Sequence, residues 1–143
     1  MAKRARIIVV GCSMFGTAVA RALSGAGHDV IAVDMQEGAL DALGDDFDGE
    51  IITGDGKSAQ VLEECGVCEA THLVAATSDD AANLLIAEVA SEVFGVPHVL
   101  PLVEDEAFVE ILEDRGIEPI CPHRICEAEF FRLTDLARGG ETP

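Results

Sequence analysis

The sequence has 143 residues, 49% of them hydrophobic, and its 27 acidic against 9 basic residues give a formal charge of −18. This length fits one domain that buries about two-thirds of its unfolded surface, and the hydrophobic content excludes wholesale disorder. The negative charge argues against nucleic acid and anionic membrane surfaces as partners, because both present negative phosphates.

The residues from Met1 onwards lead directly into an apolar run and do not resemble a signal peptide. No apolar segment is long enough for a transmembrane helix, so we expect no direct membrane insertion. Five cysteines, an odd number, suggest reduced thiols in a cytoplasm. The sequence therefore predicts a cytoplasmic protein.

Apolar runs alternate with helical patterns along the whole chain. The predicted strands cover residues 6–10, 29–33, 49–53, 71–76, 98–103 and 118–121. The predicted helices cover residues 14–25, 36–43, 58–64, 80–94, 106–115 and 124–136. We expect one domain over residues 1–138, followed by a flexible tail over residues 139–143.

The alternation of strands and helices predicts an α/β fold. Strands such as IIVV are apolar on both faces, which is typical of a parallel sheet covered by helices on each side. Six βα units predict a Rossmann-type doubly wound parallel sheet of about six strands, in the order 3-2-1-4-5-6.

The first βα turn, GCSMFG, stands where such folds bind phosphate. Gly11 permits a tight turn off the strand, and Gly16 lets the first helix lie close to the sheet. The free amides and the dipole of that helix favour an anion. Ser13 replaces the middle glycine, which reduces the clearance but offers a hydroxyl to the phosphate. Cys12, near the helix start, is predicted to have a lowered thiol pKa.

Asp34 ends the second predicted strand, 18 residues beyond Gly16. A carboxylate at that point accepts hydrogen bonds from ribose hydroxyls and repels a 2′-phosphate. The sequence therefore predicts an NAD-like or plain adenosine nucleotide rather than NADP. A Rossmann scaffold without a ligand is the alternative.

The chain resembles the TrkA-N domains, also called KTN or RCK N-terminal domains, which are cytoplasmic nucleotide-binding regulators of potassium channels and transporters. The resemblance extends from about Ala5 to Leu136. It is carried by four segments: GCSMFGTAVARALSGAGHDVIAVD, ITGDGKSAQVLEECGV, HLVAATSDDAANLLIAEVA and FVEILEDRGIEPICPHRI. The combination of Gly-Asp after the third strand with Thr-Ser-Asp-Asp after the fourth is more specific than the glycine turn.

The resemblance implies where the nucleotide binds. Gly54, Asp55 and Gly56 would flank the adenine. Thr77, Ser78 and Asp79 would line the crevice, and Asn83 would hold that loop, although helix capping and turn formation also explain Asp79 and Asn83. The predicted cofactor-binding set is Gly11, Cys12, Ser13, Met14, Phe15, Gly16, Asp34, Met35, Gly54, Asp55, Gly56, Ala76, Thr77, Ser78, Asp79 and Asn83.

Two positions depart from the family pattern. Many members carry an arginine where this chain has Met14, and another where it has Leu102. Those guanidinium groups would neutralise terminal phosphates. AMP, ADP or NAD(H) is therefore favoured over ATP.

Other groups could carry chemistry. Cys65 and Cys68 form a C-x-x-C, and Cys121, His123 and Cys126 offer further soft ligands for zinc or a redox site. Buried free thiols are the preferred interpretation, and no metal is assigned. The four histidines form no recognisable cluster. The acids between residues 104 and 118 suit a solvated helix face, with a divalent-cation site between subunits as the alternative.

The sequence favours a sensor over an enzyme. A hydride-transfer enzyme needs further residues to hold substrate and move a proton, and the chain has no tyrosine. The resemblance implies a regulatory subunit of a potassium or other cation uptake system. It would act as a homodimer or higher even oligomer, paired through its late helices, and control a membrane transporter or channel subunit at the inner face of the membrane. A small NAD-dependent oxidoreductase or redox module and a ligand-free interaction domain remain the alternatives.

Overall fold

The computed structural model describes residues 4–139, and within them five parallel strands form a single sheet. The strands are β1 (Arg6–Val10), β2 (Asp29–Asp34), β3 (Glu50–Thr53), β4 (His72–Ala75) and β5 (His98–Pro101). Their order is β3-β2-β1-β4-β5, and each neighbouring pair is parallel. The predicted Rossmann-type doubly wound sheet is confirmed. Apart from Gly139, the predicted tail lies outside the described residues.

Helices connect the strands. They are α1 (Met14–Gly25), α2 (Glu37–Leu40), α3 (Ala59–Glu64), α4 (Asp80–Glu88), α5 (Glu106–Asp114) and α6 (Pro122–Thr134). A 3₁₀ turn over Asp41–Leu43 extends α2, and a π-helical turn over Val89–Val93 extends α4. Between residues 4 and 139, no helix has both the length and the apolar character needed to cross a bilayer.

The sheet is buried on both faces because successive side chains of a strand point to opposite sides. One face packs Ile8 and Ile31 into a core with residues of α3, α4 and α5. The opposite face packs Val9 and Ala32 into a second core with residues of α1 and the turn after α2. The two apolar cores therefore fix the strand register, and with it the edge of the sheet at which the loops meet.

The predicted sixth strand is reduced to a single bridge, in which Ile120 pairs in parallel with Leu102. The Ile120 amide donates to the Pro101 carbonyl at 2.7 Å, and the Val103 amide donates to the Ile120 carbonyl at 2.9 Å. In a parallel ladder the flanking bonds would need amide donors from Pro101 and Pro122, and proline has none. The prolines therefore stop the pairing on both sides of Ile120.

Candidate functional site

A cleft opens at the carboxyl ends of β1 to β4, where the crossover in strand order separates the connecting loops. Its volume is about 350 Å³. Of the predicted set, it is lined by Gly11, Asp34, Met35, Gly54, Asp55, Gly56, Thr77, Ser78 and Asp79. Val10, Gln36, Lys57, Ala82 and Ile86 also line it and were missed by the sequence prediction. Lys57 could have been found, since it directly follows the Gly-Asp-Gly segment.

The turn after β1 depends on two glycines. Gly11 has φ +101°, and a Cβ atom there would lie 2.6 Å from the Ala76 carbonyl carbon and the Thr77 amide nitrogen. A Cβ atom on Gly16 would lie 2.0 Å from the Gly11 carbonyl oxygen. Both positions therefore require glycine, as the sequence predicts, for a tight turn and for close packing of α1.

Ser13 serves the loop in a way the sequence did not predict. Its hydroxyl donates to the Ala76 carbonyl at 2.7 Å and accepts the Gly16 amide at 3.2 Å, so it caps α1 and ties the loop to β4. The hydroxyl is thus engaged within the protein rather than offered to a phosphate. The Met14 side chain is 92% exposed, and neither Ser13 nor Met14 lines the cleft.

The start of α1 keeps backbone donors available. The amides of Ser13, Met14 and Phe15 have no hydrogen-bond partner among residues 4–139. Unpaired amides at a helix N-terminus, together with the helix dipole, favour a bound anion. The loop therefore fits a phosphate through its backbone and not through the Ser13 side chain.

Cys12, Phe15 and Ala76 lie behind this turn and not in the cleft. All three belong to the core on the α1 side of the sheet. Burial, and to a lesser extent the Asp34 carboxylate, raises the pKa of the Cys12 thiol to about 11. The predicted lowering of this pKa is therefore wrong, because the desolvation of a thiolate disfavours ionisation.

Asp34 joins the end of β2 to the glycine turn. Its Oδ2 accepts the Cys12 amide at 2.8 Å, and its Oδ1 accepts the Gln36 amide at 2.9 Å. A carboxylate oxygen has a second lone pair, so each can still accept a hydroxyl from a ligand. The residue is half-buried and lines the cleft, which leaves it accessible to a ribose.

The loop after β3 closes one wall of the cleft. Asp55 Oδ1 accepts the Lys57 amide at 2.9 Å, which shapes the turn. Gly56 is buried, and a Cβ atom there would lie 2.3 Å from Val10 Cγ1. The exposed Lys57 supplies a positive charge among three carboxylates that line the cleft.

The loop after β4 is held by Asn83, whose side chain is 1% exposed. Its Oδ1 accepts the Thr77 amide at 3.0 Å and the Thr77 hydroxyl at 2.7 Å, while its Nδ2 donates to the carbonyls of Thr77 and Leu102. The Asp79 carboxylate caps α4 by accepting the amides of Ala81 and Ala82. Capping and turn formation thus account for both side chains, and Ser78 is exposed at the rim.

The prediction that the histidines form no cluster is wrong. The rings of His72 and His98 stack with centroids 4.6 Å apart. His123 contacts Cys121 and two glutamates. All five cysteines are free, and Cys12, Cys65 and Cys121 are buried; the expectation of buried thiols is wrong for Cys68 and Cys126, which are exposed.

The chain that forms this cleft and glycine turn is also similar in sequence to known proteins. The model of the TrkA-N domain matches residues 7–122. The Trk system potassium uptake protein TrkA of Streptomyces coelicolor is 35% identical over 126 residues, which cover 88% of this chain and 56% of that protein. The chain thus spans about half the length of this relative.

Solved structures share the fold. The TrkA-N domain of the inner membrane protein ybaL from Escherichia coli superposes with a TM-score of 0.81 at 12% identity, covering 93% of this chain and 98% of that one. The AMP-bound Kef CTD of Shewanella denitrificans gives 0.72 at 21% identity, covering 94% and 83%. The GsuK channel bound to NAD gives 0.69 at 18% identity, covering 82% and 21%.

Proposed function

The chain belongs to the TrkA-N domain family, and from that premise we propose that it binds an adenosine nucleotide in the cleft and regulates a potassium uptake system. The cleft carries this proposal, because it brings Gly11, the Asp34 carboxylate and the loops after β3 and β4 to one edge of the sheet, next to the turn that leads into α1. Ligands of such sheets bind outside the carboxyl ends of the strands, where the order reverses.

The polar groups of the cleft suit the parts of a nucleotide. The amides of Ser13, Met14 and Phe15 would hold a phosphate, Asp34 would accept the ribose hydroxyls, and the loop from Gly54 to Gly56 would flank the adenine. Lys57 would offset part of the phosphate charge. With one lysine and no arginine lining the cleft, AMP, ADP or NAD(H) is favoured over ATP.

The size of the cleft favours the smaller ligands. Its volume of about 350 Å³ lies near the lower end of the range of roughly 300–1,000 Å³ that is typical of ligand pockets. The similar structures include one with each type of ligand, because the Kef structure holds the mononucleotide AMP and the GsuK structure holds the dinucleotide NAD. We propose a mononucleotide as the preferred ligand, with NAD(H) next.

We propose a sensor and not an enzyme. The titratable side chains lining the cleft among residues 4–139 are three aspartates and Lys57. A general acid or base needs a pKa near the working pH, which histidine most often provides, and no histidine lines the cleft. The cleft is therefore suited to binding rather than to proton transfer.

Regulation would act through α6. None of its side chains is buried, and it exposes Ile125, Phe130 and Leu133 at 59%, 51% and 68%. Several exposed apolar side chains on one helix are typical of a protein contact. We propose that a second copy of the chain covers these apolar side chains.

A nucleotide that binds one dimer geometry more tightly than another would shift the population of dimers towards that geometry. The cytoplasmic face of a membrane transporter or channel would respond to this change in dimer geometry.

A thermal-shift panel of AMP, ADP, ATP, NAD and NADH tests the proposed binding. A ligand at 100 times its Kd adds about 2.7 kcal/mol, which for a domain of this size raises the Tm by roughly 8 °C. Ala82→Tyr would fill the cleft and should abolish the shift. Ala81→Tyr, on the exposed side of the same turn, is the matched control and should retain the thermal shift.

The absence of a thermal shift with every nucleotide in the panel would contradict the proposal. NADH turnover with a small acceptor would favour an oxidoreductase.

A further inference from the structure

Four side chains from two segments meet beside the start of α6, outside the nucleotide cleft. His123 Nδ1 lies 3.1 Å from Glu104 Oε2, and His123 Nε2 lies 3.0 Å from Glu106 Oε1. Cys121 Sγ lies 3.2 Å from His123 Nδ1 and 3.8 Å from Nε2. One ligand atom each from Glu106, Cys121 and His123 falls within 4.8 Å of the others.

We propose that Cys121, His123 and Glu106 bind a Zn²⁺ ion, with a fourth coordination position open to water. Thiolate, imidazole and carboxylate are the ligands that zinc takes in proteins, at about 2.0–2.3 Å. Tetrahedral coordination at those lengths separates the ligand atoms by roughly 3.4–3.6 Å. The distances of 3.0 and 3.8 Å from His123 Nε2 to Glu106 Oε1 and Cys121 Sγ lie on either side of that range, and the three ligand atoms all lie within 4.8 Å of one another, so side-chain movements must bring them to the zinc distances.

Glu104 completes the arrangement without touching the metal. With Nε2 on zinc, His123 Nδ1 carries the proton and donates it to Glu104 Oε2 at 3.1 Å. A zinc-bound histidine usually donates its other N–H to a carboxylate, which fixes the tautomer and the ring orientation. The structure thus holds both the ligand set and the group that orients its histidine.

Backbone and side-chain hydrogen bonds position the two segments that carry the cluster. The Ile120 bridge holds the residue before Cys121 against the end of β5. Asp80 Oδ2 accepts the amides of Glu104 and Asp105, which anchors the segment carrying both glutamates. Cys121 is 5% exposed, whereas His123 and both glutamates are exposed. Zinc can therefore enter from solvent and meet the thiol at the base of the site.

The charges present allow the metal to bind. Glu106 contributes a carboxylate that is already paired with a positive charge, that of Arg124. Arg124 Nε donates to Glu106 Oε1 at 3.1 Å and Arg124 Nη2 donates to Oε2, so Oε1 would exchange its bond to Nε for zinc while the bond to Oε2 persists.

Zinc at this point would connect α5 to α6. Glu106 is the first residue of α5, and Cys121 is the N-cap of α6. Since α6 has no buried side chain, the metal would restrict its orientation where packing does little. The residues of the proposed zinc site do not line the nucleotide cleft, so zinc binding and nucleotide binding can be tested independently.

Titration of the full chain with Zn²⁺ in the presence of a non-chelating reductant, without nucleotide, tests the site. We expect one Zn²⁺ per chain with a Kd at or below about 1 µM. Cys121→Ser and His123→Ala should each weaken binding more than 100-fold, and Glu104→Gln roughly 10–100-fold. The matched controls Cys126→Ser and Cys68→Ser, at exposed cysteines outside the cluster, should bind like the wild type.

Co²⁺ substitution identifies the ligands directly. The wild type and Cys126→Ser should show a thiolate-to-cobalt charge-transfer band, and Cys121→Ser should lack it while keeping the wild-type circular dichroism spectrum. Absence of zinc binding at 50-fold molar excess, or wild-type affinity in both Cys121→Ser and His123→Ala, would overturn the proposal. Loss of binding in Cys126→Ser or Cys68→Ser instead would move the site to other cysteines and would also overturn it.

Discussion

Asp34 accepts the amide of Cys12 at 2.8 Å, so the residue that ends β2 fixes the turn that leaves β1. The carboxylate predicted to recognise a ribose is thus also part of the structure of the glycine turn proposed to bind phosphate. Removal of its charge and removal of its acceptor have different consequences, and suitable variants can separate them.

Asp34→Asn keeps one acceptor oxygen for the Cys12 amide, loses the acceptor of the exposed Gln36 amide and removes the negative charge. We expect this variant to remain stable. Its preference for AMP over 2′-phosphorylated AMP should be smaller than that of the wild type, because the Asp34 charge of the wild type repels the extra phosphate. Isothermal titration with the two ligands measures this ratio. Asp79→Asn removes the same charge elsewhere in the cleft and should leave the ratio nearly unchanged, since Asn caps a helix as well as Asp. An equal effect of both variants would argue against ribose recognition by Asp34.

Gly16→Ala should destabilise the protein by at least about 3 kcal/mol, because its Cβ atom would lie 2.0 Å from the rigid Gly11 carbonyl oxygen. Gly25→Ala, in the last turn of the same helix, meets nothing within 4 Å and should be neutral or stabilise by up to about 0.5 kcal/mol. Urea unfolding of both variants provides the comparison. Similar stabilities would show that α1 can move away from the sheet.

Asn83→Ala should cost about 3 kcal/mol, because it leaves the Thr77 amide and the Leu102 carbonyl without their buried partner. Asp79→Ala removes only an exposed helix cap and should cost about 1 kcal/mol. Chemical denaturation gives both values. If Asn83→Ala were the milder change, the loop after β4 would not depend on this side chain.

The stability should fall on acidification through His72. Burial, with the nearby His98 and His28, lowers the pKa of His72 below the value of about 6.5 of an unperturbed histidine. The unfolded chain therefore binds this proton more readily than the folded chain, and the free energy of unfolding decreases as the pH falls below about 6.5. Urea unfolding at pH 7.5 and 5.5 should show a smaller decrease in His72→Gln than in the wild type. An identical decrease would assign the effect to other groups.

Phe130→Glu and Leu133→Glu should convert the proposed dimer into a monomer, because each places a charge on the apolar surface of α6. Light scattering coupled to size-exclusion chromatography measures the mass. Ile51→Glu, at an exposed position on the edge strand β3, is the control and should remain dimeric. A monomeric wild type would exclude the proposed dimer at the concentration measured.

The sequence predicts the strands and the positions of the turns well because both depend on local signals. Apolar runs of four to six residues mark the strands, and Gly11 and Gly16 mark a turn that tolerates no side chain. The sixth strand was overestimated because the pairing depends on donors that Pro101 and Pro122 lack. That constraint appears only when the two segments are placed side by side.

The site was predicted less completely for the same reason. The roles of Ser13 and Asp34 depend on contacts with residues that follow other strands, Ala76 after β4 in one case and Cys12 after β1 in the other. The high pKa of the Cys12 thiol follows from burial, which the helix start alone does not reveal. Likewise, Glu104 and His123 lie 19 residues apart, and only the fold brings them together.

The single bridge at Ile120 has a consequence for motion. The segment that leads into α6 is attached to the sheet by two backbone hydrogen bonds, whereas β1 pairs along its length with both neighbours. Amides after residue 116 should therefore exchange with deuterated solvent long before those of β1. They should exchange together, through a local unfolding step that leaves the sheet intact. Such an arrangement lets the last helix pivot while the strands beside the proposed nucleotide cleft stay paired.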